Sequence, residues 1–137
     1  MMTKTLMILA ETAFVTWVLI LAASLMRARA WTPAGMMVAF GNREHMAECT
    51  GLVARTDRAG RNMLENLVLF TALVLVASVA GVNDPQVELG ARIFFWARIV
   101  YIPIYMLGIP VVRTLTYVVS MVGLGLIFVA IARVAYA

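Results

Sequence analysis

The chain has 137 residues, enough for a single domain. Hydrophobic residues make up 64% of it and charged residues 13%, and its mean hydropathy is +0.95. A soluble domain is roughly 45–50% apolar and about 25% charged, so the composition excludes a soluble globular fold and points to an integral membrane protein. The net charge of +4 favours anionic headgroups or an anionic ligand, and no basic run interleaved with aromatic residues suggests nucleic acid.

Four apolar runs cover about 6–26, 67–82, 89–107 and 115–132, each near the ~20 residues that cross a hydrocarbon core. The first is not read as a cleavable leader. It is longer than the ~7–15 apolar residues of a signal peptide, and its stronger positive flank, Arg27 and Arg29, follows it. Residues 28–30 nevertheless have the small-residue spacing of a cleavage site. Glu11 lies inside this run, and it either snorkels to the interface or partners an arginine elsewhere in the bundle.

The connection from Ala28 to Thr56 has turn signals at Thr32-Pro33, Ala34-Gly35 and Gly41-Asn42. We expect a polar excursion with one short interfacial helix, and Trp31 suits the interface. The excursion holds the one histidine, His45, and the one cysteine, Cys49, so one chain can build neither an intramolecular disulfide nor a His/Cys metal site; no metal is expected.

The second membrane helix is predicted to start near Thr56 or Asp57, either of which can cap it, with Gly60 weakening its first turn by up to ~1 kcal/mol. Arg58, Asn62 and Glu65 follow at i, i+4 and i+7 on one helical face. A polar stripe entering a membrane helix is costly and so marks a candidate site; a salt-bridge network opening the helix at the membrane surface is the alternative. The helix should end at Gly81, before Asp84-Pro85, and the short connection makes its successor an antiparallel neighbour.

The third run carries an i, i+4 pair, Glu88 and Arg92, and places Arg98 about midway. An arginine at the centre of a membrane helix costs roughly 2.5–3.5 kcal/mol, so Arg98 must face a polar partner or a wet cavity, either tying helices together or meeting a ligand. Tyr101 and Tyr105 share its face, as site residues or as members of an interfacial belt, and Pro103 is placed to kink the helix. The third connection, near 108–114, carries Arg113, which is either a topology signal or a site residue. In the fourth run Gly123 and Gly125 allow close helix approach, with Arg133 and Tyr136 as interfacial anchors.

Arginine placement sets the expected topology. The first connection holds Arg27, Arg29, Arg43, Arg55, Arg58 and Arg61, the second none, the third Arg113. The first and third connections should therefore face the cytoplasm with both termini outside. The expected fold is an all-α integral membrane protein, a four-transmembrane-helix bundle forming one domain over residues 1–137.

Two stripes then point the same way: Arg58, Ala59, Asn62, Glu65 and Asn66 in the second helix, and Ala97, Arg98, Tyr101 and Tyr105 in the third, followed by Pro110 and Arg113. This pattern resembles the MAPEG family, the membrane-associated proteins of eicosanoid and glutathione metabolism, and within it the microsomal glutathione transferases. Residues 38–41 and Asn66 directly after Glu65 support that subgroup. The resemblance covers about 31–117. It implies a homotrimer that binds glutathione as co-substrate, with no covalently bound cofactor, between protomers near the cytoplasmic leaflet of what we expect to be a bacterial inner membrane. By the same resemblance Arg58, Asn62, Glu65, Asn66 and Arg98 belong to the glutathione site, Tyr101 and Tyr105 line it, and Arg113 stands near the arginine that stabilises the thiolate. Arg27 and Arg29 both end the first helix where the family places a ligand-binding arginine. The chain departs from the leukotriene-forming synthases, which have tyrosine at the position of Asn66, and from many microsomal transferases, which have histidine at the position of Tyr101. The spacing from Arg98 to Arg113 does not match every branch of the family.

The residue types suit that ligand. Arginine forks bind carboxylates, glutamate binds an ammonium, and an asparagine amide can both donate and accept. A free thiol has a pKa of about 8.5, and lowering it by about two units needs ~2.7 kcal/mol of preference for the anion, which one arginine in a partly desolvated site can supply. The expected activity is glutathione transfer to a lipophilic electrophile, or reduction of a lipid hydroperoxide. The alternatives are a non-catalytic scaffold or accessory subunit of a larger membrane complex, and a site for another thiol or an anionic lipid.

Overall fold

A computed structural model of the chain describes residues 3–42 and 48–136, so Arg43 and His45 lie outside the described residues. Among the described residues five helices follow one another: α1 (Lys4–Ala28), α2 (Pro33–Phe40), α3 (Gly51–Val79), α4 (Pro85–Leu107) and α5 (Pro110–Ala135). The four long helices run up, down, up and down. Lys4 meets Glu88 and Arg133 meets Gln86 at one end, while Arg27 meets Asp57 and Arg55 meets Met106 at the other. The second end, here the arginine end, gathers Arg27, Arg29, Arg55, Arg58, Arg61 and Arg113.

Three helices, α1, α3 and α5, are long and apolar enough to cross a membrane, at 25, 29 and 26 residues. At 23 residues α4 is of similar length but carries Glu88, Arg92 and Arg98. The short helix expected in the first connection is α2. Thr32 caps it, its hydroxyl accepting from the Gly35 N–H, and Pro33 occupies the first turn, where its missing N–H costs nothing. α2 packs against the end of α1 so closely that a Cβ on Gly35 would lie 2.0 Å from the Arg29 carbonyl oxygen.

Several predicted boundaries move. α3 begins at Gly51, not near Thr56 or Asp57, and ends at Val79 rather than Gly81. Thr56 is buried in the second turn and donates to the Leu52 carbonyl, and Asp57 bonds to arginines instead of capping. Gly60 is therefore inside α3, packed on Ile20 of α1, and does not weaken a first turn. α5 begins at Pro110, which places Arg113 in its first turn rather than in a connection. α4 starts at Pro85 behind an Asp84 cap whose carboxylate accepts from the Gln86 N–H, and it continues through Pro103 to Leu107.

Away from the arginine end, α3, α4 and α5 close on apolar side chains. Phe70 and Phe94 stack at 4.3 Å between ring centroids, surrounded by Val74, Ala91, Leu124 and Ile127. Gly90 and Gly123 form the crossing of α4 and α5: a Cβ on either would come within 2.6 Å of the other's carbonyl oxygen. Lipid tails are as apolar as leucine, so such close packing, rather than burial, holds membrane helices together. Gly125, by contrast, faces open space. Phe14, Trp17 and Val68 lie on the exposed outer surface, as lipid contact requires.

Candidate functional site

α3 turns Ala59, Met63, Asn66 and Phe70 inward, so Asn62 stands half-buried at the edge of the packed face. α4 presents Arg98 to that edge one turn beyond the Phe70–Phe94 stack. The Arg98 side chain is 1% exposed. Its Nη1 donates to Asn62 Oδ1 at 2.8 Å. The amide of Asn66 braces the same residue, Nδ2 donating to the Asn62 carbonyl at 2.8 Å and lying 3.4 Å from Oδ1.

Aromatic rings surround the guanidinium. Its carbon lies 5.4 Å from the Phe94 centroid, 5.1 Å from Tyr101 and 5.3 Å from Tyr117. Ring quadrupoles attract a cation more strongly where water is excluded. Nε and Nη2 are buried and have no hydrogen-bond partner among the described residues, so the rings provide the compensation available on that side. The sequence then continues the arrangement outward at helical spacing. Tyr101 lies 5.3 Å from Tyr105, and the Arg113 guanidinium sits 4.9 Å over the Tyr105 ring. Asn66, Asn62, Arg98, Tyr101, Tyr105 and Arg113 thus form one polar and aromatic ladder, running from the interior of the bundle to its arginine end.

Tyr117 belongs to this ladder and sequence reasoning missed it. It lies one turn after Arg113, a relation visible once Pro110 is taken as the first residue of α5. Arg55 was also missed as a structural group. Its Nε donates to the Met106 carbonyl at 2.7 Å, and its side chain lies against Gly108, which closes α4 with φ +78. The positive side chain meets the negative end of the α4 dipole and holds α3 to α4 beside the ladder.

The other predicted site residues do not join the ladder within one protomer. Arg58 and Glu65 flank Asn62 on the outer face of α3, both exposed and without a partner among the described residues. Arg27 bonds to Asp57 at 3.6 Å, and Arg61 to the same carboxylate at 2.9 Å, along a groove of about 360 Å³ between α1 and α3. Arg29, exposed, closes α1 in the left-handed conformation at φ 52. Glu11 is exposed, and the arginine partner considered for it is not found among the described residues.

The ladder can bind an anion and place a small polar molecule at the helix surface. It offers guanidinium, amide and phenol donors beside the exposed Glu65 carboxylate, and none of its members is a thiol, serine or lysine nucleophile. A sequence model described as the MAPEG family matches residues 7–133. Searches of curated proteins and of solved structures give no match.

Proposed function

The chain belongs to the MAPEG family, and from that premise we propose that it is a membrane-bound glutathione transferase or glutathione-dependent peroxidase acting on lipophilic electrophiles. The observation that carries this reading is the ladder: a buried arginine, two braced asparagines, two tyrosines in tilted ring contact and an outer arginine, continuous from Asn66 to Arg113. The likeness in sequence to microsomal glutathione transferases adds the ligand class.

Glutathione carries two carboxylates, one ammonium and one thiol. Arg58 and Arg113 supply forks for carboxylate or thiolate, and Glu65 supplies an acceptor for the ammonium. Arg113 is half-buried over Tyr105, so water screens its charge less than that of a fully exposed arginine. It stabilises the thiolate, which attacks an electrophilic carbon, forming a C–S bond as the leaving group departs or as the electron pair of an activated double bond is displaced and then protonated. Alternatively it attacks the terminal oxygen of a hydroperoxide, breaking the O–O bond to release the alcohol and leave glutathione sulfenic acid, which a second glutathione converts to the disulfide and water. The electrophile arrives through the bilayer.

A homotrimer of four-span protomers follows from the same reading. Arg58, Glu65 and Glu11 have no partner among the described residues, and unpaired charges facing lipid are costly. A neighbouring copy, with glutathione between the two, covers Arg58 and Glu65, and Arg27 or Arg29 of that neighbour can complete the site. The arginine end then faces the cytoplasm.

The test is ultraviolet difference absorbance of the purified protein with glutathione. A thiolate band appears in the wild type and is lost in Arg113→Ala, with binding followed by calorimetry. If wild-type protein neither binds glutathione nor ionises it, and instead copurifies stoichiometrically with other membrane proteins, the scaffold reading replaces this one. Binding of another thiol or of anionic lipid, with none of glutathione, points to the third.

A further inference from the structure

We infer that Arg98 is a positioning residue that locks the Asn62 amide with its oxygen inward, so that Asn62 offers the site only a hydrogen-bond donor and selects an acceptor group, a carboxylate or peptide carbonyl, on the ligand. The oxygen and nitrogen of an asparagine amide have nearly the same shape, and which way the group faces is decided by its partners. Here the partners leave one answer. A guanidinium has no acceptor, and Arg98 Nη1 lies 2.8 Å from Asn62 Oδ1. Turning the amide over would set two donors against each other at that distance.

Asn66 fixes the same choice independently. A backbone carbonyl only accepts, and Asn66 Nδ2 lies 2.8 Å from that of Asn62, so its NH2 is the group facing Asn62, with Oδ1 at 3.4 Å as a second acceptor. Asn62 Oδ1 therefore receives donors from α3 and α4 together. Its Nδ2 finds no acceptor among the described residues and is not fully buried. Arg98 itself is sealed behind Asn62 and three rings, so its charge reaches a ligand through the amide it orients. The identity of the ligand rests on the functional reading above; the direction of the amide rests on the contact of α3 with α4 alone.

The chain has four asparagines, Asn42, Asn62, Asn66 and Asn83, so asparagine-selective ¹⁵N labelling yields a simple set of side-chain amide signals in detergent or nanodiscs. Single Asn→Asp variants assign them. Without ligand, the Asn62 NH2 exchanges its protons rapidly and the Asn66 NH2 is protected. Protection of the Asn62 NH2 equal to that of Asn66 overturns the proposal whether or not glutathione binds. The second arm is Asn62→Asp, which keeps an acceptor for Arg98 and turns the outward atom into an acceptor. Loss of one well-made hydrogen bond to a charged group corresponds to roughly tenfold or more in affinity. We expect at least that loss for glutathione, with the thermal midpoint retained. Undiminished glutathione binding by Asn62→Asp overturns the proposal. Absence of glutathione binding in the wild type sinks the functional reading instead and leaves the amide exchange to decide this one.

Discussion

The two halves of the bundle are closed by different physics. Away from the arginine end, α3, α4 and α5 meet through stacked phenylalanines and a glycine-on-glycine crossing, where shape does the work. Toward the arginine end the same three helices meet through Arg98, Asn62, Asn66 and three rings, where hydrogen bonds and cation–ring contacts replace shape. The apolar half shows that this chain can join these helices without burying a charge. The polar half therefore needs a reason beyond helix association, and the ligand site proposed beside it would supply one.

Five substitutions test this contrast. Gly123→Leu forces a side chain into the backbone of α4 and should cost about 3 kcal/mol or more, while Gly125→Leu should stay within about 0.5 kcal/mol, both read from thermal midpoints in detergent. Equal effects would mean that the apolar half is not held by close packing. Asn62→Leu removes the one hydrogen bond that the Arg98 guanidinium makes among the described residues, and a loss of about 1.5–3 kcal/mol is expected. A neutral result would make the ladder dispensable to the fold and sharpen its assignment to ligand binding. Arg55→Gln weakens the closure of α4 at the Met106 carbonyl by about 1 kcal/mol, visible as faster amide exchange in residues 104–108 with the rest of α4 unchanged. Asp57→Asn breaks half-exposed ion pairs to Arg27 and Arg61 and should change stability by only about 0.2–1 kcal/mol, an effect that shrinks in high salt. A larger effect would show that the groove between α1 and α3 matters as much as the ladder.

Local signals were strong where one residue type dominates a segment. The apolar runs located the long helices, and the i, i+4 pairing of Glu88 with Arg92 is present, with Lys4 added from α1. Boundaries went astray where competing caps lay close together. Thr56 and Asp57 have cap chemistry, yet α3 starts five residues before Thr56, behind Thr50, which makes no side-chain cap bond. Tertiary contacts hold that first turn, because Arg55 reaches α4 and Asp57 reaches α1. The spacing of Arg98, Tyr101 and Tyr105 correctly put them on one face, and their ring contacts follow from it. The spacing of Arg58, Asn62 and Glu65 also put them on one face, but it could not tell that α4 reaches only the middle residue.

Composition and periodicity determined, without coordinates, that this is an all-helical membrane chain with most of its arginines toward one end, because apolar length and charge placement are local properties that a bilayer reads directly. Only the tertiary structure decided which polar groups become partners. Arg98 and Asn62 stand 36 residues apart, and their meeting depends on how far α4 slides and turns against α3. That register is set by the Phe70–Phe94 stack, with the Gly90–Gly123 crossing seating α4 on α5, contacts between distant segments that no window of sequence contains.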